Sequence, residues 1–427
     1  MGGYIGRANF VVAVDAKYCG FEARQSLLGD PIPLVDADGF KILELFHGKT
    51  GAFKDVALSM LPVFMKHAAG GKRVLVLTAT SGDTGSAAMQ GFAGVDGTEV
   101  LVFYPNVGTS RVQRLQITTP ADANVHAVAI KGNFDDAQAA VKRIFADKAI
   151  AAEASAAGVT LSSANSINTG RLIPQIAYYL LAGSKLNGKT FDVVVPSGNF
   201  GNILAAYYTR EMGLPIARLI CASNCNNVLS DFIRTGVYDR RREFLISSSP
   251  SMDILISSNL ERLLAHMGGQ DATKAEMESL NKTGSYKAEI TETKISGEYA
   301  TEAETFSAIK NFYEETGYVM DTHTAVAYAA YQKYKAESGD DKPMAIVSTA
   351  SPYKFTKDVM TALDEKYADG DAFELQADLE KASGVSVPAP IVGLEHRPIL
   401  HKNVCEKTEI KEVVKNKIRL FGSENKA

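Results

Sequence analysis

Lys54 is the residue most able to do covalent chemistry, because two glycine-rich loops of the kind that cradle anions lie downstream of it. A lone lysine is an ordinary solvated cation, but a lysine accompanied by two such loops points to a Schiff base. It stands in Leu45-Phe46-His47-Gly48-Lys49-Thr50-Gly51-Ala52-Phe53-Lys54-Asp55, just before the helical run Val56-Ala57-Leu58-Ser59-Met60. A place at a helix start, with partial burial, favours the neutral and nucleophilic amine. The first loop, Thr78-Ala79-Thr80-Ser81-Gly82-Asp83-Thr84-Gly85-Ser86, follows the apolar run Val74-Leu75-Val76-Leu77. The second, Pro196-Ser197-Gly198-Asn199-Phe200-Gly201-Asn202, follows Val193-Val194-Val195 and leads into Ile203-Leu204-Ala205-Ala206. In both, glycines let the backbone turn sharply and expose its N–H groups, while the following helix N-terminus adds positive partial charge where an anion can sit. Either loop alone would read as no more than a turn.

Loops of this kind need strands that end, and helices that begin, beside them. Strand-like runs at 74–77, 100–104, 125–130, 193–195, 219–220 and 344–347 alternate with amphipathic stretches such as 136–145 and 305–316. That alternation is the pattern of parallel sheets covered by helices, an open α/β fold whose ligands gather beyond the carboxyl ends of strands. Both glycine loops fall at such ends. The alanine-rich stretch 149–157 before Gly158 predicts a helix and the exit from a smaller domain. Gly268-Gly269 and the polar segment 281–302 read as exposed connections or an insertion, and 339–343 as a turn before the last core strand. The tail 409–418 spaces its apolar residues for one face of a packed surface helix.

Composition narrows the function classes. With 427 residues, 46% hydrophobic, 22% charged and a formal net charge of −4, the chain has ordinary globular proportions and no basic field for nucleic acid. Cys19, Cys221, Cys225 and Cys405 are too few and too scattered for a disulfide scaffold, and the 221/225 pair lacks a second pair or a nearby histidine for zinc. They read as reduced thiols of a cytoplasmic protein, and no metal site is expected. No apolar run approaches the ~18 residues of a membrane span, and the run 10–14 is cut off by Asp15 before it could serve as a signal-peptide core. Two tempting motifs fail. Gly48-Lys49-Thr50 resembles the end of a P-loop, but Leu43 stands where its first glycine belongs, and the glycine loops lack the leading glycine of a dinucleotide fingerprint. His47 and His323 are the histidines placed nearest the site by sequence, and both read as structural.

The residues as a whole resemble the pyridoxal-phosphate (PLP) enzymes of the tryptophan-synthase-β type and, within them, the threonine synthase family. The blocks that carry the resemblance are the Lys54 segment, Thr78 onward, Ser163-Ala164-Asn165-Ser166-Ile167-Asn168 with Arg171, and Pro196 onward. Further blocks are Ser251-Met252-Asp253, Ser258-Asn259-Leu260-Glu261-Arg262 and Ser348-Thr349-Ala350-Ser351-Pro352-Tyr353-Lys354-Phe355, all in the family's order and covering most of the chain. The resemblance implies PLP fold type II: two open twisted sheets covered by helices, with a small domain, 56–158, inserted in a large one formed by 1–55 and 159–427.

It also implies roles. Lys54 would hold the cofactor and act as the catalytic group. The N–H groups of Gly198, Asn199, Phe200, Gly201 and Asn202 would cradle the cofactor phosphate, and Thr349 would meet the pyridine nitrogen. Ser81, Thr84 and Gly85 would take the substrate carboxylate, with Asp83 shaping the loop or lying near the cofactor hydroxyl. Asn165, Ser166, Asn168 and Arg171 would take the substrate phosphate, the guanidinium fork matching a phosphoryl group. The reaction implied converts O-phospho-L-homoserine and water to L-threonine and phosphate. Lys54 moves protons along the substrate, phosphate leaves from Cγ, and water adds at Cβ in a dry site. Alternatives are a related PLP lyase yielding 2-oxobutyrate and ammonia, and a non-catalytic anion-binding α/β protein. The expected partner is the small-molecule substrate, with no nucleic acid and no membrane, in a monomer or homodimer. Two departures stand out. Lys49 occupies a position where the family usually has proline, adding a charge near the active site, and the glycine-rich motif of a longer N-terminal region is not found in residues 1–40.

Overall fold

The computed structural model of the protein describes residues 32–423. The apolar run 10–14, Cys19 and most of the N-terminal region discussed above lie outside the described residues. The strands, in chain order, are β1 (Leu34–Ala37), β2 (Phe40–Glu44), β3 (Arg73–Ala79), β4 (Thr98–Pro105), β5 (Val125–Lys131), β6 (Val159–Ser163) and β7 (Phe191–Pro196). They continue with β8 (Ile216–Ser223), β9 (Val237–Asp239), β10 (Ser285–Lys287), β11 (Ile295–Tyr299), β12 (Met344–Ser348) and β13 (Asn403–Glu406). The described chain divides into two compact units, one made of Gly48–Arg171 with 388–423, the other of 32–47 with Leu172–Val387.

The first unit is built on a wholly parallel sheet in the order β13-β5-β4-β3-β6. Side-chain alternation along each strand feeds two cores. Leu75, Leu77, Leu101 and Phe103 pack on one face with Val141, Ile144, Ile150 and the tail residues Ile410, Val414, Ile418 and Phe421. Val74, Val76, Val100 and Val102 pack on the other with Leu58, Leu61, Met89 and Phe92. The predicted tail helix is present as Ile410–Ser423, and the alanine-rich helix as Lys148–Ala156, followed by Gly158 in the left-handed region at φ +70°. This unit is wider than the 56–158 insert set by resemblance. It takes in the tail because β13 pairs in parallel with β5, Cys405 facing Ile130 across the ladder.

The second unit holds a mixed sheet, β1-β2-β12-β7-β8-β11, parallel except for β1, and a separate β9–β10 ladder. β1 and β2 form a hairpin through Asp38 and Gly39, whose φ values of 50° and 87° are those of a primed turn. Helix Thr322–Ser338 covers β7, β8, β11 and β12. One expectation is corrected here. The segment 281–302 is no exposed connection, since Ile295–Tyr299 is the outer strand of this sheet, paired with β8. Gly297 permits that fit, because a Cβ there would lie 2.8 Å from the Ser230 carbonyl of the neighbouring helix. Among the described residues, no helix is long and apolar enough to cross a membrane.

Candidate functional site

In the first unit, Lys54 is the first residue of helix Lys54–Ala69, which buries Val56, Leu58, Leu61 and Met65 and so leaves the lysine at the helix mouth. The turn before it is closed by Asp55, which accepts from the Thr50 amide and the Thr50 hydroxyl, each at 2.7 Å. Lys54 Nζ, on a side chain only 12% exposed, donates to Asp83 Oδ2 at 3.1 Å. Asp83 is itself the first residue of helix Asp83–Phe92, where the dipole favours its negative charge. Its other oxygen accepts from Gln113 Nε2 at 2.8 Å, a contact that sequence alone did not reveal.

The loop between Lys54's neighbour strand β3 and that helix is held by Thr80, whose hydroxyl accepts from the amides of Gly82 at 2.9 Å and Gly85 at 3.0 Å. A hydroxyl two residues before a glycine was the available signal for this turn. Gly85 is needed for packing: a Cβ there would meet Thr80 Cγ2 at 2.5 Å and Val102 Cγ1 at 2.9 Å. Ser81 and Thr84 are half-buried, and their hydroxyls make no hydrogen bond among the described residues.

The segment 163–171 comes up against the end of β3. Asn165 grips Ala79, accepting from its amide at 2.9 Å and donating to its carbonyl at 2.6 Å. Asn168 donates to the Ser163 carbonyl at 2.8 Å and accepts from the Gly170 amide at 2.9 Å. Both amides are thus engaged in shaping the loop. Arg171 is buried, 5% exposed, and donates from Nη1 to the Ala164 carbonyl at 3.0 Å, while Ser166 is half-buried. The structure therefore brings Lys54, Asp83, Ser81, Thr84, Gly85 and the 163–171 segment into one unit.

In the second unit, β7 ends in the loop 197–200, which turns into helix Gly201–Glu211. The loop's carbonyls are taken up by its neighbours: Ser257 Oγ donates to Gly198 O at 2.9 Å, and the Asn259 amide and side chain both donate to Asn199 O. Its amides are left open. Among the described residues, no acceptor meets the N–H groups of Gly198, Asn199, Phe200, Gly201 and Asn202. Five successive open donors at a helix N-terminus fit a phosphate, and the space is one a side chain would fill. A Cβ at Gly198 would sit 3.0 Å from Met252 Cα, and one at Gly201 3.2 Å from Asn259 Nδ2. Phe200 holds the turn at φ 62°, ψ 3°, a left-handed conformation unusual for a bulky residue and sustained by full burial of its ring. Asn202 Oδ1 accepts from the hydroxyls of Tyr178 and Tyr179, and its buried Nδ2 has no partner among the described residues.

The strap over this loop, 247–253, was recognised by sequence only as a motif. Asp253 draws it in, accepting from Asn224 Nδ2 at 2.8 Å, Asn226 Nδ2 at 2.9 Å and Ser247 Oγ at 2.7 Å. His323 is the second tie. Its Nδ1 meets Asp321 at 2.9 Å and its Nε2 accepts from the Ser251 amide at 3.3 Å, so it is structural, as is His47, paired with Glu44 at 2.7 Å. Thr349, just past β12, is 6% exposed, and its hydroxyl makes no hydrogen bond among the described residues, which leaves it free for a ligand. Cys221, Cys225 and Cys405 are free thiols, and burial pushes the Cys221 thiol up to about 12. Lys49 lines a groove of about 590 Å³ with Lys66 and His67 along helix Lys54–Ala69.

A family model for the pyridoxal-phosphate dependent enzymes matches residues 27–350, and one for the threonine synthase C-terminal region matches residues 324–414. Threonine synthase-like 1 of Homo sapiens is 43% identical in an alignment 349 residues long that covers 76% of this chain and 46% of that protein. The chain thus spans about half the length of such relatives. Threonine synthase of Pseudomonas aeruginosa is 38% identical in an alignment 359 residues long that covers 81% of this chain and 74% of that protein. The crystal structure of PLP-bound threonine synthase from Brucella melitensis superposes with a TM-score of 0.80 at 33% identity, over 97% of this chain and 84% of that one. The yeast threonine synthase structure superposes at 0.79 with 30% identity and the same coverage.

Proposed function

Since the chain belongs to the threonine synthase family of pyridoxal-phosphate-dependent enzymes, we propose that it converts O-phospho-L-homoserine and water to L-threonine and phosphate. The observation that carries this reading is the Lys54 amine, largely buried at one helix N-terminus and hydrogen-bonded to Asp83 at another. Lys54 would hold the cofactor's aldehyde, and its amine is the group placed to carry protons between substrate carbons. The open amides of Gly198, Asn199, Phe200, Gly201 and Asn202 take the cofactor phosphate. Bound PLP supplies an electron sink for the substrate's Cα. The Thr349 hydroxyl would meet the ring nitrogen as a neutral partner, which would temper that sink. Ser81 and Thr84 offer free hydroxyls to the substrate carboxylate on a loop whose shape depends on Gly85. Arg171 and Ser166 serve the substrate phosphate, with Asn165 and Asn168 holding the backbone around them.

A second reading is elimination to 2-oxobutyrate and ammonia, weighed because relatives at 43% identity carry the name threonine synthase-like 1, whereas a protein named threonine synthase matches at 38%. Incubation of the PLP-loaded protein with O-phosphohomoserine tests both. Equal yields of threonine and phosphate are expected; 2-oxobutyrate with phosphate would favour the lyase. A protein that takes up no PLP, shown by the lack of a visible band and of a borohydride-fixed label on Lys54, would overturn both in favour of a non-catalytic anion binder.

A further inference from the structure

Gln113 has both ends of its side chain committed. Its Oε1 accepts from the Ser110 amide at 3.3 Å and its own amide donates to Ser110 Oγ at 3.2 Å, which together make the capping box of helix Arg111–Thr118. Because the carbonyl end must face that amide, the NH₂ end must face the other way, and it donates to Asp83 Oδ1 at 2.8 Å. The partner oxygen of that carboxylate holds Lys54 Nζ at 3.1 Å. Gln113 is 1% exposed and Asp83 2%, so this chain of contacts runs in a low-dielectric setting where it is little screened. Room for it is specific: a Cβ on Gly82 would fall 2.4 Å from Gln113 Cδ. The first glycine of the loop is thus what lets the glutamine reach the aspartate.

We propose that Gln113 is a positioning residue for Lys54, acting through Asp83: it turns the carboxylate toward the amine and, by donating to it, weakens its hold on the amine's proton. The proposal rests on the reading of Lys54 as the cofactor-binding amine. The charged groups on the elements around this pair are Asp55 beside Lys54, Arg111 and Arg114 on the helix of Gln113, and Arg171 on the turn packed against helix Lys54–Ala69. Asp55 accepts from the Thr50 amide and hydroxyl, as described, while Asp83 is in contact with the amine at 3.1 Å.

Gln113→Glu is the discriminating variant. A glutamate at this position still accepts from the Ser110 amide, so the cap survives, but it sets a second negative charge against Asp83. The measurement is the rate at which cofactor-free protein captures PLP, followed by its visible absorption across pH, with thermal melting in parallel. Capture needs the unprotonated amine. The pH midpoint of capture should move alkaline by about one unit, since added negative charge favours the ammonium, and the melting temperature should fall, since two carboxylates then face each other in a buried setting. Ser110→Ala should separate the two effects, lowering the melting temperature without moving the midpoint. If Gln113→Glu does not fold, Gln113→Met, which removes the donor without adding charge, should give a smaller alkaline shift. An unmoved midpoint in a folded Gln113 variant would reduce Gln113 to a helix cap and overturn the proposal. Failure of the parent protein to capture PLP through Lys54 would instead count against the proposed function.

Discussion

Lys54 and Asp83 each open a helix, and their side chains meet at 3.1 Å, so a cation and an anion share the space between two positive helix ends. The dipoles favour the carboxylate and disfavour the ammonium. Asp83 therefore serves as the counter-charge that keeps Lys54 oriented, and a helix start is where the amine gives up its proton most readily.

Replacing Lys54 by alanine should leave the fold intact and lower threonine formation by about a thousand-fold or more, because attachment and proton transfer pass through one amine. Circular dichroism with a product assay checks this. Turnover above a trace would remove Lys54 from the chemistry.

At Gly198 the constraint is steric. A Cβ would press on Met252 Cα and the Ser251 carbonyl, each 3.0 Å away, and these are backbone atoms of a strap tied down by Asp253 and His323. Gly198→Val should weaken PLP binding on the order of tenfold or more in a cofactor titration. Unchanged affinity would place the phosphate site elsewhere.

Arg171→Leu should cut kcat/KM for O-phosphohomoserine by about 2–5 kcal/mol of transition-state stabilisation, with lysine restoring only part, since an ammonium lacks the planar fork. Both variants also lose or weaken the donor to Ala164, so a lower melting temperature is expected of the leucine form. PLP content should stay at the parental level. Poor PLP retention with normal processing of bound substrate would assign the arginine to the cofactor or the fold.

Asp192, near the start of β7, is raised to about 6 by burial, with Asp340 nearby adding to the effect, and its Oδ1 has no hydrogen-bond partner among the described residues. Asp358 is likewise raised to about 6, by burial and then Glu302. A carboxyl whose folded value lies above its unfolded one keeps its proton longer in the native state. The contribution of these two groups to stability should therefore fall as pH rises from about 4 to about 6 and level off above. Asp192→Asn should remove part of that slope and stabilise the protein near neutral pH by about 1–2 kcal/mol, read from denaturant melts at several pH values. An unchanged slope would mean that Asp192 ionises freely in the native state.

The two parallel-sheet cores were legible because continuous apolar runs such as Val74-Leu75-Val76-Leu77 cannot be satisfied except by burial on both faces. β11 escaped notice because Glu292, Lys294 and Glu298 surround it with charge, and its place depends on Gly297 meeting Ser230, a contact between distant residues. The β1–β2 hairpin could have been found from Asp38-Gly39 between alternating residues. In the site, Lys54 and both loops stood out by local grammar. Gln113 did not, since the Ser110–Gln113 spacing announces only a cap and its second contact reaches back 30 residues. Asn165 and Asn168 entered through the family resemblance, and their contacts with Ala79, Ser163 and Gly170 join segments that local sequence could not pair.

The pairing of β13 with β5 joins residues made early to residues made late, Lys131 and Glu406 being 275 positions apart. At roughly 5–20 residues per second, translation leaves the outer edge of β5 unpaired for on the order of tens of seconds. During that interval Val128, Ala129 and Ile130 present an open template to other nascent chains. Chaperone demand and aggregation during synthesis should therefore concentrate on this edge, and a ribosome stalled before Asn403 would release its most adhesive form.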